Sequence, residues 1–264
     1  MVAVKTLLIS DHKRVRDLVA RAVRDPDWTV QKEAFTRISR DLHIGAFSRE
    51  ERMSLLETAC HHDEVLMRET AVKLITTWAT QICRDIQKED AKANPQEGIE
   101  KNIPMSMYAR TPLYMLKYLD VLANPELCQT VMLHIFYVAS LRYPDIATTS
   151  AYVLLIKEEN GVLNRDNHRS IMNYKLPLMD VAHRVFFWRT FIIFGQRAAT
   201  DEAEWEEVTC LLLPTLRTFC EFVMKFVPFI SKKFEGDTKE PYKMLAITEL
   251  LKIPKLMEKD VVGM

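Results

Sequence analysis

Four consecutive residues, 60–63, carry the side chains of a possible metal site. Their sequence is Cys-His-His-Asp, and thiolate, imidazole and carboxylate groups are the ordinary ligands of zinc. Neighbouring residues at a helix end point in different directions, however, and no second pair of ligands follows at zinc spacing. An ordinary helix end, where histidine suits the helix dipole, is therefore favoured over a metal centre.

Glycines are too few and too scattered for the loops that many catalytic sites need. The 264-residue chain has six glycines, at positions 45, 98, 161, 195, 236 and 263. This distribution fits neither a phosphate-cradling loop, which needs closely spaced glycines, nor a nucleophile elbow. We therefore expect a non-enzymatic protein with no cofactor, no metal and no small-molecule substrate.

Local charge is more informative than net charge. Lys+Arg and Asp+Glu both number 36, so the balance predicts no polyanionic partner. A first basic patch, opposed by Asp17 alone, consists of Lys13, Arg14, Arg16, Arg21 and Arg24. A second basic patch consists of Arg165, Arg169, Lys175 and Arg184. Such patches suit a phosphate backbone, which is bound through charge rather than base edges, and a solvated outer face is the alternative.

Two other clusters have a structural and a functional interpretation. Residues 201–207 contain five acids at a predicted helix start, where they complement the helix dipole. That interpretation is favoured over a bound cation or a basic partner. Residues 185–189, Val-Phe-Phe-Trp-Arg, have the spacing of a helix that packs in a core, and a peptide-binding groove is the alternative.

The elements that carry these residues are predicted to be helices. The scarcity of glycine, with 48% hydrophobic residues and 13 Met, favours an all-helical core. Apolar spacing predicts helices over 13–24, 28–42 and 49–61, the last behind a capping box of Ser48 and Glu51. Between the first two helices lies an Asp-Pro turn, in which Asp25 is expected to cap and Pro26 to begin the second helix.

This turn recurs along the chain. Aligning Val30-Gln31 and Ala34 with Met67-Arg68 and Ala71 gives an offset of 37 residues. A looser echo occurs at residues 124–126, Asn-Pro-Glu. Two helices per 37–47 residues is about the period of HEAT repeats. The sequence therefore predicts an all-α HEAT-repeat solenoid, an armadillo-type superhelix of antiparallel helix pairs.

Composition suggests how this solenoid is divided and where it is found. We expect repeats over 1–86, a polar inter-repeat loop over 87–110 and further repeats over 111–264, forming one continuous solenoid. The longest apolar runs are too short to cross a bilayer, so no membrane partner is expected. Five scattered cysteines without a Cys-x-x-Cys pair favour reduced thiols in the cytosol or nucleus.

Several motifs, taken in order, resemble those of one known family. The first are Asp11, Val15-Arg16, Ser48-Arg49-Glu50-Glu51-Arg52-Met53, Leu55-Leu56, residues 65–78 and Leu116-x-x-Leu119-Asp120-Val121. The others are Val185-Phe186-Phe187-Trp188-Arg189, Leu212-Leu213-Pro214-x-Leu216, Phe219-Cys220-Glu221-Phe222 and Leu250-Leu251-Lys252-Ile253-Pro254-Lys255-Leu256. In order and spacing these motifs resemble an internal region of the HEAT-repeat G subunit of condensin. The polar segment 87–110 and Pro254 depart from the family pattern.

The resemblance implies a non-enzymatic scaffold subunit of the machine that compacts chromosomes in mitosis and meiosis. In that family the solenoid grips a segment of the kleisin subunit and holds double-stranded DNA without sequence preference. The location implied is the nucleus and chromosome, with some protein in the cytoplasm. A general protein-interaction solenoid without a nucleic-acid role, such as a transport or phosphatase scaffold, is the alternative.

Overall fold

Helices make up all the regular structure that we can describe. The computed structural model describes residues 12–93, 105–142, 153, 176–234 and 240–257, and within them no strand occurs. The all-α prediction is confirmed for these residues. The chain divides into two compact units, Met1–Val138 (unit 1) and Ala139–Met264 (unit 2).

Unit 1 contains six described helices. Its described helices are α1 (His12–Arg24), α2 (Trp28–Asp41), α3 (Arg49–Cys60), α4 (Val65–Ala93), α5 (Met105–Met115) and α6 (Pro125–Arg142), the last continuing past the unit boundary. A short 3-10 turn, Ile44–Ala46, lies between α2 and α3. The predicted capping box is present, because the Glu51 amide donates to Ser48 Oγ (3.2 Å) and the Ser48 amide to Glu51 Oε2 (2.8 Å).

The first four helices pack as two hairpins. α1 packs on α2 to form the first hairpin, and α3 packs on α4 to form the second. α1 also packs on α3, and α2 on α4, so equivalent helices of the two hairpins meet. Gln81 of α4 fastens this second contact: its Nε2 donates to Leu42 O (3.0 Å), and its Oε1 accepts from the Ile44 amide (2.8 Å).

The turn of the first hairpin is capped by a different aspartate from the one predicted. Asp27 is the N-cap of α2, and its carboxylate accepts from the Thr29 amide (2.8 Å). Asp25 instead accepts from the Asp27 amide (3.0 Å), and Pro26 precedes the cap rather than beginning the helix. The residue after the proline is free to take the extended backbone that an N-cap requires, which explains the shift.

In both hairpins a side chain of the second helix donates a hydrogen bond to a backbone carbonyl of the turn. Gln31 Nε2 donates to the carbonyl of Asp25, six residues earlier (2.7 Å). Arg68, which lies 37 residues after Gln31, donates through Nη1 to His62 O (2.7 Å), also six residues earlier, and to Asp63 O (2.8 Å). The aligned positions therefore perform the same task, tying the second helix of each hairpin to the turn before it.

The second predicted recurrence of the turn, at residues 124–126, is built differently. Asn124 Oδ1 accepts from the Leu127 amide (3.0 Å), and α6 begins at the next residue, Pro125. Here the cap precedes the proline, so the proline occupies the first helical position, where its missing N–H costs nothing. The Asn-Pro-Glu turn is thus a helix start of its own type and not a copy of the first turn.

Much of the segment predicted as a polar loop, 87–110, is helical. α4 continues to Ala93 and α5 begins at Met105, while residues 94–104 lie outside the described residues. Gln87 is buried, and Asp90 of α4 pairs with Arg110 of α5 (2.5 Å). Lys88, Glu89 and Lys92 of α4 are exposed, and composition alone does not distinguish such a solvated helix face from a loop.

Unit 2 is built around a helix that is apolar on nearly all sides. Its described helices are α7 (Leu178–Ala198), α8 (Glu202–Leu212), α9 (Leu216–Lys233), α10 (Glu240–Leu251) and α11 (Pro254–Met257). α7 packs on α8 and α10, and α9 packs on α10. α8 ends at Leu212, two residues before Pro214, and α9 begins behind the cap Thr215.

The aromatic block of α7 lies in this core. Phe186 is fully buried, Phe187 and Trp188 are 2% exposed, and the Trp188 indole N–H donates to Leu212 O (3.3 Å). Arg189 at the end of the block pairs with the buried carboxylate of Glu249. The block therefore fills the interior of unit 2, and the peptide-groove interpretation of it is wrong.

Candidate nucleic-acid interface

α1 presents a buried face and a basic face. Val15, Val19 and Ala22 are buried, as helical spacing predicts. The arginines of the first basic patch that can be described are all exposed: Arg14, Arg16, Arg21 and Arg24. Lys13 lies in the helix, and its side chain is outside the described residues. The structure thus brings the predicted patch together on one helix.

Helical geometry orders the arginines across this face. With about 100° between successive residues, the four span an arc of about 160°, on the side opposite the buried stripe. Arg14 and Arg21 lie at one edge and Arg16 at the other, with Arg24 between them. Asp17 falls between Arg21 and Arg24, so one acidic residue lies within the basic face.

Three of these guanidinium groups have no acidic partner among the described residues. The ion pairs formed there leave out Arg16, Arg21 and Arg24, whereas the neighbouring helix α2 pairs Arg37 with Glu33 (2.8 Å) and Arg40 with Asp41 (2.7 Å). An exposed guanidinium without a carboxylate keeps its full charge and its five N–H donors for an external anion. This is the arrangement that phosphate contact requires.

A groove between α1 and α2 adjoins the basic face. It has a volume of about 300 Å³. Its lining residues are Leu18, Arg21, Thr29, Val30, Glu33, Ala34 and Arg37. The lining includes the apolar side chains of Leu18, Val30 and Ala34 and one arginine from each helix. The charge patterns in the sequence did not single out Arg37. The one feature that could have indicated it is its i,i+4 spacing from Glu33 on the predicted second helix.

Other arginines of the chain are committed to the interior. Arg52 is buried and donates to three backbone carbonyls. Arg110 pairs with Asp90, and Arg189 with Glu249. Such groups hold helices together and are not available to a ligand. Arg16, Arg21 and Arg24 of α1 differ from them in exposure and in having no carboxylate partner among the described residues.

The second basic patch cannot be assembled from the described residues. Arg165, Arg169 and Lys175 lie outside them. Arg184 is half-buried in α7, where it is not free of partners. This patch stays a prediction.

The Cys-His-His-Asp tetrapeptide forms the end of α3 and the turn that follows. Burial raises the pKa of the Cys60 thiol to about 11, which disfavours the thiolate that metals bind. His62 Nδ1 accepts a hydrogen bond from the Glu64 amide (3.0 Å) at the start of α4. Among the described residues, no three His, Cys, Asp or Glu side chains are arranged to hold a metal ion.

The acidic run takes part in starting α8. Asp201 is the N-cap and accepts from the Glu204 amide (2.8 Å). Glu204 in turn accepts from the amide and the hydroxyl of Thr200 (2.8 Å each). These bonds satisfy amides that have no partner within the helix, so the favoured structural interpretation accounts for both carboxylates.

Comparisons with known proteins do not identify the chain. No family model, no curated protein and no solved structure matches it. Within the described residues, no helix is both long enough and apolar enough to cross a membrane. The class that the structure defines is an all-helical protein in which α1 of unit 1 carries exposed arginines, three of them without an acidic partner among the described residues.

Proposed function

We propose that the chain is a non-enzymatic HEAT-type scaffold that binds duplex DNA without sequence preference through α1. The observation that carries this proposal is the exposure of Arg16, Arg21 and Arg24 without a described acidic partner. Each contact between an arginine and a DNA phosphate releases counterions and so favours binding, whatever the base sequence. Contacts to base edges are therefore not required.

The packing in unit 1 supports a HEAT-type arrangement. In a helical solenoid each repeat packs on the next, first helix on first and second on second. The two hairpins α1–α2 and α3–α4 have these contacts. The shared bonds of Gln31 and Arg68 to their turns, at an offset of 37 residues, support a common origin for the two hairpins.

The resemblance to the condensin G subunit supplies the rest of the proposal. It places the chain on chromosomes during mitotic and meiotic condensation, with a kleisin segment as its protein partner. A candidate partner contact lies on α9, where the large apolar side chains of Leu216 and Met224 are 60% and 75% exposed.

Duplex binding tests the proposal. Two unrelated duplexes of equal length are titrated against the protein by fluorescence anisotropy over a series of salt concentrations. We expect equal affinities for both and a steep linear fall of log K with log salt. A preference for one sequence, or an affinity that ignores salt, contradicts binding through the phosphates.

The second candidate is a general protein-interaction scaffold with no nucleic-acid role. The exposed apolar side chains of Leu216 and Met224 on α9 favour it, because a contact with them does not depend on charge. Under this alternative a peptide partner binds with an affinity that ignores salt, and duplex DNA does not bind. Replacing Met224 with Glu then abolishes the interaction, whereas substitutions in α1 do not.

A further inference from the structure

We propose that the α1–α2 groove is a phosphate subsite for duplex DNA, in which Arg37 acts with Arg21 and Glu33 restrains it. The proposal rests on DNA binding by the basic face of α1 and extends that surface onto a second helix. Arg21 and Arg37 line the same groove, from opposite helices. Neither the charge pattern nor the resemblance singles out Arg37 or Glu33.

The pairing of Arg37 leaves most of its donors available. Its Nε donates to Glu33 Oε1 at 2.8 Å, and within the described residues this is its one ion pair. A guanidinium has five N–H donors, so both terminal nitrogens can still bind phosphate oxygens side by side. Arg37 need not leave Glu33 completely to contact a ligand.

The Glu33–Arg37 pair is also weak. The two side chains are 62% and 59% exposed, and an exposed i,i+4 pair contributes little in water. Replacing the Glu33 carboxylate by a phosphate as the partner of Arg37 therefore costs little free energy. Because Glu33 lines the groove itself, its negative charge opposes any anion there. Glu33 thus lowers the affinity of the subsite without blocking it.

An extended polyanion fits this surface better than a single acidic group. The cations run from the far edge of α1 at Arg16, through Arg24 and Arg21, across the groove to Arg37. That succession follows a row of phosphates, whereas one carboxylate or a free phosphate ion engages only part of it. The groove and the basic face then form one continuous binding surface.

The experiment compares Arg37→Gln and Glu33→Gln with a matched pair elsewhere in the chain. Arg217 and Glu221 form the same kind of exposed i,i+4 pair on α9 (3.2 Å), so Arg217→Gln and Glu221→Gln change net charge equally. We expect Arg37→Gln to reduce the slope of log K against log salt by about 0.9. Glu33→Gln tightens duplex binding at low salt, and the gain shrinks as salt screens it. Both α9 variants bind like the parent protein.

Each other outcome overturns the subsite in a recognisable way. If Arg37→Gln leaves the slope of log K against log salt unchanged, or Glu33→Gln does not raise duplex affinity, the groove is not part of the DNA interface. DNA binding that still depends on α1 would then leave the proposed function intact. If the parent protein binds no duplex, both proposals fall. Poly-L-glutamate and inorganic phosphate are tested at constant ionic strength. If either binds as tightly as the duplex and depends equally on Arg37, the groove is a site for an acidic peptide or free phosphate instead. Equal thermal melting of the four variants excludes unfolding as the cause.

Discussion

Arg52 is a buried cation held by backbone carbonyls. Its Nε donates to Tyr118 O (2.7 Å), and its Nη1 donates to Phe47 O (2.6 Å) and Ile44 O (3.2 Å). The guanidinium also lies over the Tyr118 ring, 5.4 Å from its centroid. Burial lowers its pKa from the usual arginine value. One side chain thus joins α3 to the turn before it and to the segment after α5.

Removing this side chain should destabilise unit 1. In Arg52→Met the stem is kept but three carbonyls lose a charged donor, so we expect the free energy of unfolding to fall by about 2–4 kcal/mol. Arg52→Lys should recover only part of the loss, because one ammonium does not reproduce the guanidinium fork. Urea unfolding followed by circular dichroism measures both. A change within about 0.5 kcal/mol for Arg52→Met contradicts this role.

The cysteines should differ in reactivity. Burial raises the pKa of Cys60 to about 11 and that of Cys128 to about 12, so both remain thiols at neutral pH. Cys210 and Cys220 are exposed. In the native protein at about pH 8, iodoacetamide should therefore modify Cys210 and Cys220 well before Cys60 and Cys128. Mass spectrometry of digests follows the rates, and labelling of Cys60 as fast as Cys210 contradicts the prediction.

At the scale of residues, the sequence predicts exposure better than it predicts partners. The exposed arginines of α1 follow from apolar spacing, because Val15, Val19 and Ala22 fix the opposite face. The tasks of Arg52 and Arg37 depend on other helices. Tyr118 is 66 residues away from Arg52, and no local pattern marks such a contact.

At the scale of elements, close packing in unit 2 depends on one glycine. A Cβ atom at Gly195 of α7 would lie 2.7 Å from Val208 Cγ1 and 3.0 Å from Leu212 Cδ1, both on α8. Distances this short force a shift of one helix or of the Val208 side chain. The absence of a side chain at position 195 therefore sets how closely α7 and α8 approach.

Gly195→Ala tests this approach. Overpacking of a core typically costs about 1–3 kcal/mol, and we expect a loss of that size in thermal or urea unfolding. Val208→Ala in the same chain removes the nearest methyl group, so the double variant should lose less than the sum of the two single losses. Strictly additive losses indicate that the two residues do not interact.

The helix bounds were predictable where capping residues set them. They were not predictable in the segment 87–110, where tertiary contacts decide. Capping residues fix ends locally, so α2 and α3 end within one residue of the prediction. The polar segment 87–110 was assigned to a loop because its composition is that of a solvated surface. Burial of Ile86 and Gln87 and the Asp90–Arg110 pair keep α4 and α5 helical there, and these are tertiary contacts.

At the scale of the whole molecule, the charge of the chain is balanced but unevenly placed. Lys+Arg and Asp+Glu are equal in number, yet α1 has arginines that no described carboxylate neutralises. Long-range attraction of a polyanion depends on such local fields and not on the total. The all-α class was predictable from composition and periodicity. The division near residue 138 was not, since it depends on which helices pack together.

The most direct test of the account reverses the basic face of α1. Arg16, Arg21 and Arg24 are replaced together by Glu, and the control replaces three exposed cations of α4, Lys73, Arg84 and Lys92, by Glu. The measurement is the slope of log K against log salt for one duplex. We predict that the α1 variant loses at least about 2.7 from the slope, with greatly weakened binding, while the control changes much less. Equal effects of the two triple variants, or duplex binding unaffected by reversal of α1, would contradict the assignment of DNA binding to this helix.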